Sequence, residues 1–337
     1  MTPGLTDGVF RLISIVGAGF KPARLPICTC AVDNVAGVPF FGRIMGLTII
    51  DGKKVAAELR TRLAERVEKL KAQGITPGLT AVLVGEDPAS ASYVRAKKRA
   101  AAKIGINSNV VELRADITQS ELDAVIDRLN ADGSVHGYIV QLPLPDQLNV
   151  EQTINRILPA KDADCFHPEN VGLLTLGRPR FLPATPGGIV ELLRYYDIPT
   201  CGAEVVVLGR SDIVGRPLSI MLSQKVAAGN ATVTVCHTKT RDLVQHTQNA
   251  DILIAAIGRP HTVTAEMVKP GAVVIDVGMN RVDDSSADKG YRLVGDVDFP
   301  AVSEIAGYIS PVPGGVGPMT VAMLLANTVT AAELATA

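Results

Sequence analysis

The chain has 337 residues, room for two domains of ordinary size. A formal net charge of −1 supplies no basic field for a nucleic-acid backbone, so no nucleic acid is expected as a partner. Hydrophobic residues make up 47% and aromatic ones only 4%, the composition of an aliphatic α/β interior, and the most apolar long stretch, Met319 to Ala337, is interrupted by Thr, Asn and Glu before it reaches the roughly 18 apolar residues of a membrane span. The cysteines (Cys28, Cys30, Cys165, Cys201 and Cys236) are odd in number and scattered, which points to a reducing, cytoplasmic compartment. Cys28-Thr29-Cys30 has no second pair at zinc spacing, and no metal site is expected.

Residues 1–45 mix a short apolar run, Leu12 to Phe20, with Gly, Pro and isolated Arg, and show no periodicity. They read as a disordered extension, or as residues upstream of a true start at Met45; a targeting peptide is the weaker alternative, because a basic beginning and a small-residue cleavage site are missing. From Met45 a short strand and a turn lead into an amphipathic helix over Asp51 to Ala72, with Val55, Leu59, Leu63 and Val67 on one side. Leu79 to Val84 is a strand ending at Gly85. Asp87-Pro88 then reads as an N-cap with Pro at the first helical position, and Ile104-Gly105 as the stop. A strand at Val110 to Leu113, a helix at Ser120 to Asn130 and a strand at Gly137 to Leu142 complete a first α/β unit.

The second half repeats the pattern. Val205 to Leu208, Ala231 to Val235, Asp251 to Gly258 and Ala272 to Gly278 are short apolar, β-branched runs, separated by helical stretches such as Arg241 to Asn249. Strands buried on both faces read this way, and the spacing predicts βαβ units in a doubly wound, Rossmann-like parallel sheet. Between the first of these strands and its helix lies Gly209-Arg210-Ser211-Asp212-Ile213-Val214-Gly215-Arg216-Pro217. A Gly-rich turn there aims backbone N–H groups and the positive helix end at an anion, as for a dinucleotide pyrophosphate. The glycines are six apart, so the turn is not the usual G-x-G-x-x-G. After the second strand, where an NAD site normally carries a carboxylate for the ribose hydroxyls, stand Cys236-His237-Thr238-Lys239-Thr240. Without that carboxylate a 2′-phosphate is not repelled. The expected cofactor is therefore NADP, with Gly209, Arg210, Ser211, Gly215, His237, Thr238 and Gly258 as candidate binding residues. Arg210 and Lys239 as ordinary solvated loop cations is the competing reading.

On the helix after Pro88, Ser90, Tyr93 and Lys97 fall on one face, among Arg95, Lys98, Arg99 and Lys103. A lysine crowded by cations and partly desolvated has a lowered pKa and can move protons near neutrality. By spacing alone, a solvated basic face is the favoured reading. Gln141 closes an apolar strand, and Asp164 sits in a loop with a second carboxylate, Asp162; a backbone cap and an Asx-turn are their plain alternatives.

Taken together, Ser90-x-x-Tyr93-x-x-x-Lys97, Val135-His136-Gly137 through Gln141-Leu142-Pro143-Leu144-Pro145, Lys161-Asp162-x-Asp164, Pro183 to Gly187, Val207 to Pro217 and Pro311 to Thr320 closely resemble the bifunctional methylenetetrahydrofolate dehydrogenase/methenyltetrahydrofolate cyclohydrolase family. The resemblance runs from about Met45 to the C-terminus, in the family's motif order.

It implies a catalytic lysine at Lys97, partnered by Gln141, a folate-orienting tyrosine at Tyr93 and a pterin-anchoring carboxylate at Asp164. Ser90 and the Pro313-Gly314-Gly315 loop are further candidate substrate contacts. The implied reactions are NADP-dependent oxidation of 5,10-methylenetetrahydrofolate and hydrolysis of the product to 10-formyltetrahydrofolate, in a usually homodimeric enzyme. The expected folate domain spans 46–185, completed by a C-terminal helix (318–337), and the NADP domain spans 186–317, with the substrate cleft between them. In two places the chain departs from the family's common residues: Cys165 stands where Gly often follows the aspartate, and Ala184 where Cys often precedes Thr-Pro.

Overall fold

A computed structural model describes residues 46–287 and 290–336. The extension at 1–45, with Cys28 and Cys30, lies outside the described residues. In chain order the elements are β1 (Thr48–Ile49), α1 (Gly52–Lys71), β2 (Gly78–Val84), α2 (Pro88–Lys103), β3 (Asn107–Leu113), α3 (Gln119–Ala131), β4 (Gly137–Val140), α4 (Val150–Arg156), α5 (Pro168–Thr175) and α6 (Ala184–Tyr195). Then follow β5 (Glu204–Leu208), α7 (Gly215–Ser223), β6 (Thr232–Cys236), α8 (Leu243–Gln248), β7 (Ile252–Ala255), β8 (Val273–Asp276), β9 (Asn280–Asp283), β10 (Tyr291–Val294), α9 (Phe299–Ser303), β11 (Tyr308–Ile309) and α10 (Val316–Leu334).

The expected elements are present, with ends set by caps. Asp51 accepts from the Lys54 N–H at the start of α1, and Asp87 accepts from the Ser90 N–H at the start of α2. Thr118 and Glu121 form a reciprocal capping box on α3. Gly105, at φ +81°, follows α2 in the left-handed conformation that ends a helix.

The smaller sheet is parallel, in the order β3-β2-β4. Its central strand is buried along its whole length. Alternation sorts its side chains between two layers: Ala81 and Leu83 join the core formed with α1 and α10, while Val82 and Val84 pack on Leu122, Val125 and Ile126 of α3. The larger sheet has six parallel strands in the order β1-β11-β8-β7-β5-β6, which is the doubly wound arrangement expected. Val205, Val207, Ile252 and Ile254 face the core shared with α6, α7 and α10. Val206, Leu208, Leu253 and Ala255 face a separate core with Val263, Met267 and Val302. The chain leaves β5 toward β6 on one side and reaches β7 on the other, and such a switch point opens a crevice at the strands' C-terminal ends.

β1 pairs with β11 at the far edge of the larger sheet, although α1, which follows it, packs beside the smaller one. The two sheets are therefore crossed by the chain near its start, between β4 and β5, and again at α10. Helix α10 is buried on most sides, through Val316, Met319, Ala322, Leu324, Leu325, Val329 and Ala332 among others. Near its end Arg66 of α1 holds Glu333 through two hydrogen bonds of 2.9 and 2.6 Å and reaches Thr330 at 3.0 Å. Helix α10 begins at Val316, and Arg66 joins its C-terminal end to α1.

Buried Asn327 of α10 donates to the carbonyls of Ala163 and Leu182, both at 2.8 Å. One amide thereby ties the loop before Asp164 to the segment that enters α6. Asn327→Ala leaves both carbonyls without this donor and is expected to lower the unfolding free energy by roughly 2 kcal/mol, read by urea titration. A loss below about 0.5 kcal/mol contradicts this role for Asn327.

Candidate active site

Helix α2 presents Lys97 toward the end of β4. Its Nζ donates to Gln141 Oε1 at 3.0 Å, and Gln141 Nε2 donates to the Leu142 carbonyl at 2.8 Å. The amide can thus be oriented by one bond while its oxygen faces the ammonium. Gln141 caps backbone and holds the lysine at once, so the two alternatives open at the sequence level both apply. Arg95, Lys98, Arg99 and Lys103 are exposed and turn to solvent. The charge that Lys97 meets is the carboxylate of Asp164, not a crowd of cations.

Asp164 and Asp162 divide their work. Asp162 is buried and makes the turn: it accepts from the N–H groups of Cys165 (3.0 Å) and His167 (2.8 Å) and from Asn170 Nδ2 (2.9 Å). The Asx-turn alternative therefore belongs to Asp162. Asp164 is left to face the cavity, and desolvation pushes its pKa up to about 6, with Lys97 opposing and Asp162 adding to the rise. Cys165 has φ +63°, the left-handed region in which Gly is unstrained, so a side chain here costs roughly 1 kcal/mol of backbone energy. Its buried thiol donates to the Phe181 carbonyl at 3.4 Å, a partial offset.

A cavity of about 180 Å³ is lined by Lys97, Gln141, Leu142, Asp164, Phe166, Ala184, Thr185, Ile213 and Thr320. The hydroxyls of Thr185 and Thr320 lie 2.9 Å apart, joining the start of α6 to the start of α10. Ala184 fills the departure position with a methyl group, so no thiol is present at that wall. Thr185, Thr320, Phe166 and Ile213 were not among the expected site residues; Thr185 and Thr320 do lie inside the Pro-rich and Gly-rich motifs. Tyr93 is not among the residues walling this cavity; its hydroxyl donates to the thioether of Met279, a residue just past β8. Burial raises the pKa of the Tyr93 phenol, with Tyr291 adding to it. Ser90 is buried at the start of α2, and Pro313, Gly314 and Gly315 are not among the residues walling this cavity. Instead the Gly314 carbonyl accepts from the Lys53 N–H at 3.1 Å, and a Cβ on Gly52 would lie 1.7 Å from the Gly315 carbonyl oxygen. That loop is clamped onto the first turn of α1.

Ile213 belongs also to the turn after β5, so cavity and nucleotide crevice share a wall. Gly209 has φ +122°, and a Cβ there would lie 2.1 Å from the Ala256 carbonyl oxygen. A Cβ on Gly215 would lie 2.2 Å from the Gly209 carbonyl oxygen. Both glycines are required by close backbone approach, as a phosphate-binding turn demands. Ser211 Oγ accepts from the N–H groups of Val214 (3.2 Å) and Gly215 (3.4 Å), so this hydroxyl shapes the turn.

Leu208 and Cys236 are opposite in register, which sets Gly209-Arg210-Ser211 beside His237-Thr238. The Gly209 N–H donates to the Cys236 carbonyl at 2.9 Å. Arg210 is exposed and forms no ion pair among the described residues. His237 turns Nδ1 toward the Lys239 N–H at 3.1 Å and closes a turn with Thr240. His237-Thr238-Lys239-Thr240, directly after β6, holds no carboxylate, and these residues fit the phosphate of an NADP ribose. Gly258, φ +72°, lies in the turn after β7, which ends at Ala255 and not at Gly258 as expected. Among the described residues, no cluster of three or more His, Cys, Asp and Glu side chains could hold a metal ion, and no helix is long and apolar enough to cross a membrane.

Comparison with known proteins agrees with this geometry. Residues 50–164 match the tetrahydrofolate dehydrogenase/cyclohydrolase catalytic domain, and residues 183–336 match its NAD(P)-binding domain. The chain is 55% identical over 285 residues to the bifunctional protein FolD of Prosthecochloris aestuarii, covering 84% of this chain and 97% of that protein. It is 51% identical over 289 residues to FolD of Bacillus subtilis, covering 86% and 99%. Among solved structures, the bifunctional FolD of Campylobacter jejuni superposes with a TM-score of 0.81 at 48% identity, covering 86% of this chain and 99% of that one. The Trypanosoma brucei FolD, complexed with NADP cofactor and an inhibitor, superposes with a TM-score of 0.82 at 42% identity, covering 87% and 99%. The chain belongs to the tetrahydrofolate dehydrogenase/cyclohydrolase family.

Proposed function

We propose that this chain oxidises 5,10-methylenetetrahydrofolate with NADP and hydrolyses the methenyl product to 10-formyltetrahydrofolate in one cleft. The observation that carries this reading is that the Lys97–Gln141 pair and Asp164 line one cavity together with Ile213 of the turn after β5. When bound, NADP supplies the acceptor for the hydride that leaves the methylene carbon. For that step the protein's task is alignment, and the rigid glycine contacts of both loops serve it.

The second step needs proton transfer. Water adds to the cationic methenyl carbon, and its proton passes to Lys97 Nζ. The bond from that carbon to N5 then breaks, N5 takes a proton from Lys97, and the remaining hydroxyl proton leaves as the formyl carbonyl forms. One water is consumed and one proton released. Gln141 holds Nζ at the reacting carbon. Asp164, when ionised, offers two oxygens to the paired N–H donors of the pterin. Tyr93 packs its ring against the substrate. The boundary between the folate and NADP units is proposed near residue 185, with α10 completing the first. Homodimer formation and a cytoplasmic location are proposed with this reading, the first supported by exposed Val226, Val235 and Val244 around the edge strand β6, the second by the scattered cysteines.

Three outcomes test it. Lys97→Met is expected to slow formation of the formyl product from preformed methenyl substrate by roughly 10²-fold or more. Near-normal hydrolysis removes Lys97 from the mechanism. Arg210→Ala is expected to raise KM for NADP about tenfold, with KM for folate little changed, as loss of one charge-assisted contact to a 2′-phosphate requires. Equal changes in both constants contradict that contact. The third concerns pH. The folded-state pKa of Asp164 lies above the ordinary carboxylate value, so its acceptor form is present above about 6 and lost as pH falls through it. The cyclohydrolase kcat/KM is therefore expected to decline below about pH 6, and a profile flat to pH 4.5 speaks against Asp164 as the pterin acceptor.

A further inference from the structure

Two carboxylates outside the folate cavity organise the nucleotide crevice. Asp296, just past β10, is completely buried. Its Oδ2 accepts from the N–H groups of Ile257 (2.6 Å) and Gly258 (2.9 Å), and its Oδ1 accepts from the Arg259 N–H (2.9 Å) and Asn280 Nδ2 (2.9 Å). Asp276, at the end of β8, accepts in turn from the backbone N–H groups of Asp296 (2.9 Å) and Val297 (3.0 Å). A Cβ on Gly278 would lie 2.2 Å from Asp296 Oδ1, and one on Gly295 would lie 1.7 Å from Asp276 Oδ2. The pair is packed without room to shift.

The position of this cluster gives it a role. The turn held by Asp296 continues from Ala256, whose carbonyl sits against Gly209 of the phosphate turn. Asn280, held by the same carboxylate, follows Met279, which meets Tyr93 of α2. One buried side chain thus fixes the turns after β7 and β8, which border the crevice at the sheet's switch point.

We propose that Asp296 is a positioning residue for the nicotinamide nucleotide, acting through the backbone of Ile257 to Arg259 and through Asn280. The inference rests on the dinucleotide site described above. Asp296→Asn keeps the shape, but sets an NH2 group against N–H donors on one side. Binding of NADPH alone, read by its fluorescence, is expected to weaken at least about tenfold, as is KM for NADP. Hydrolysis of preformed methenyl substrate, assayed without nucleotide, is expected to stay within about twofold of wild type, which a general loss of structure would not permit. If Asp296→Asn does not fold, Asn280→Ala decides, with a weakening of about threefold or more expected. NADPH affinity within about twofold of wild type in the folded variant overturns the proposal. If the wild-type chain binds no NADPH, the cofactor assignment itself fails instead.

Discussion

Everything at the cleft hangs on the last helix, which gives little of its surface to water. Helix α10 is buried on most sides, so it is stable only where two bodies enclose it. It starts at the Gly314-Gly315 loop clamped on α1, sets Thr320 in the cavity wall, holds the loop before Asp164 through Asn327, and ends on Arg66. A segment far from the folate unit in sequence thereby fixes the position of the carboxylate in that unit. The same constraint keeps the nucleotide sheet and the lysine helix at a set separation, which hydride transfer needs more than any acid or base.

Around this frame the buried charges are sorted by the number of donors they receive. Asp162, Asp276 and Asp296 are surrounded by backbone N–H groups and build turns. Asp164 takes no such set; it is held near a cation and open to the cavity, with a pKa raised to about 6. Burial raises the pKa of Asp276 to about 6 as well, against the bonds that lower it. A carboxylate saturated by the fold is a scaffold, and one left with acceptor capacity can serve a ligand. Among the described residues, no buried side-chain nitrogen or oxygen lacks a partner, so the open capacity of the site is at the cavity surface.

Much of the fold was legible because strands buried on both faces must be apolar throughout. Val205 to Leu208 and Ile252 to Ala255 announced a parallel sheet, and Asp87-Pro88 and Ile104-Gly105 bracketed the lysine helix by local cap chemistry. Gly209 and Gly215 were legible as a tight strand-to-helix turn, although the reason each must be Gly, a backbone carbonyl against its Cα, is a fact of the folded backbone. The spacing of Tyr93 and Lys97 placed them on one helix face but could not say what they meet; the resemblance supplied Gln141 and Asp164. The pairing of β1 with β11, the contact of Tyr93 with Met279, and the duties of Asp296 join residues far apart in sequence. Nothing in local periodicity encodes such partners. Asp162 and Asp164 could not be told apart by composition, because their difference lies in which backbone N–H groups reach each one.

The central claim is that one cleft performs both steps on the same folate. It is tested most directly by mixing wild-type protein with 5,10-methylenetetrahydrofolate and NADP and following reduced nicotinamide and the methenyl species together by absorbance. The account predicts strong NADP-dependent reduction with little methenyl accumulation. Reduction accompanied by methenyl build-up, cleared only at its spontaneous rate, would contradict it.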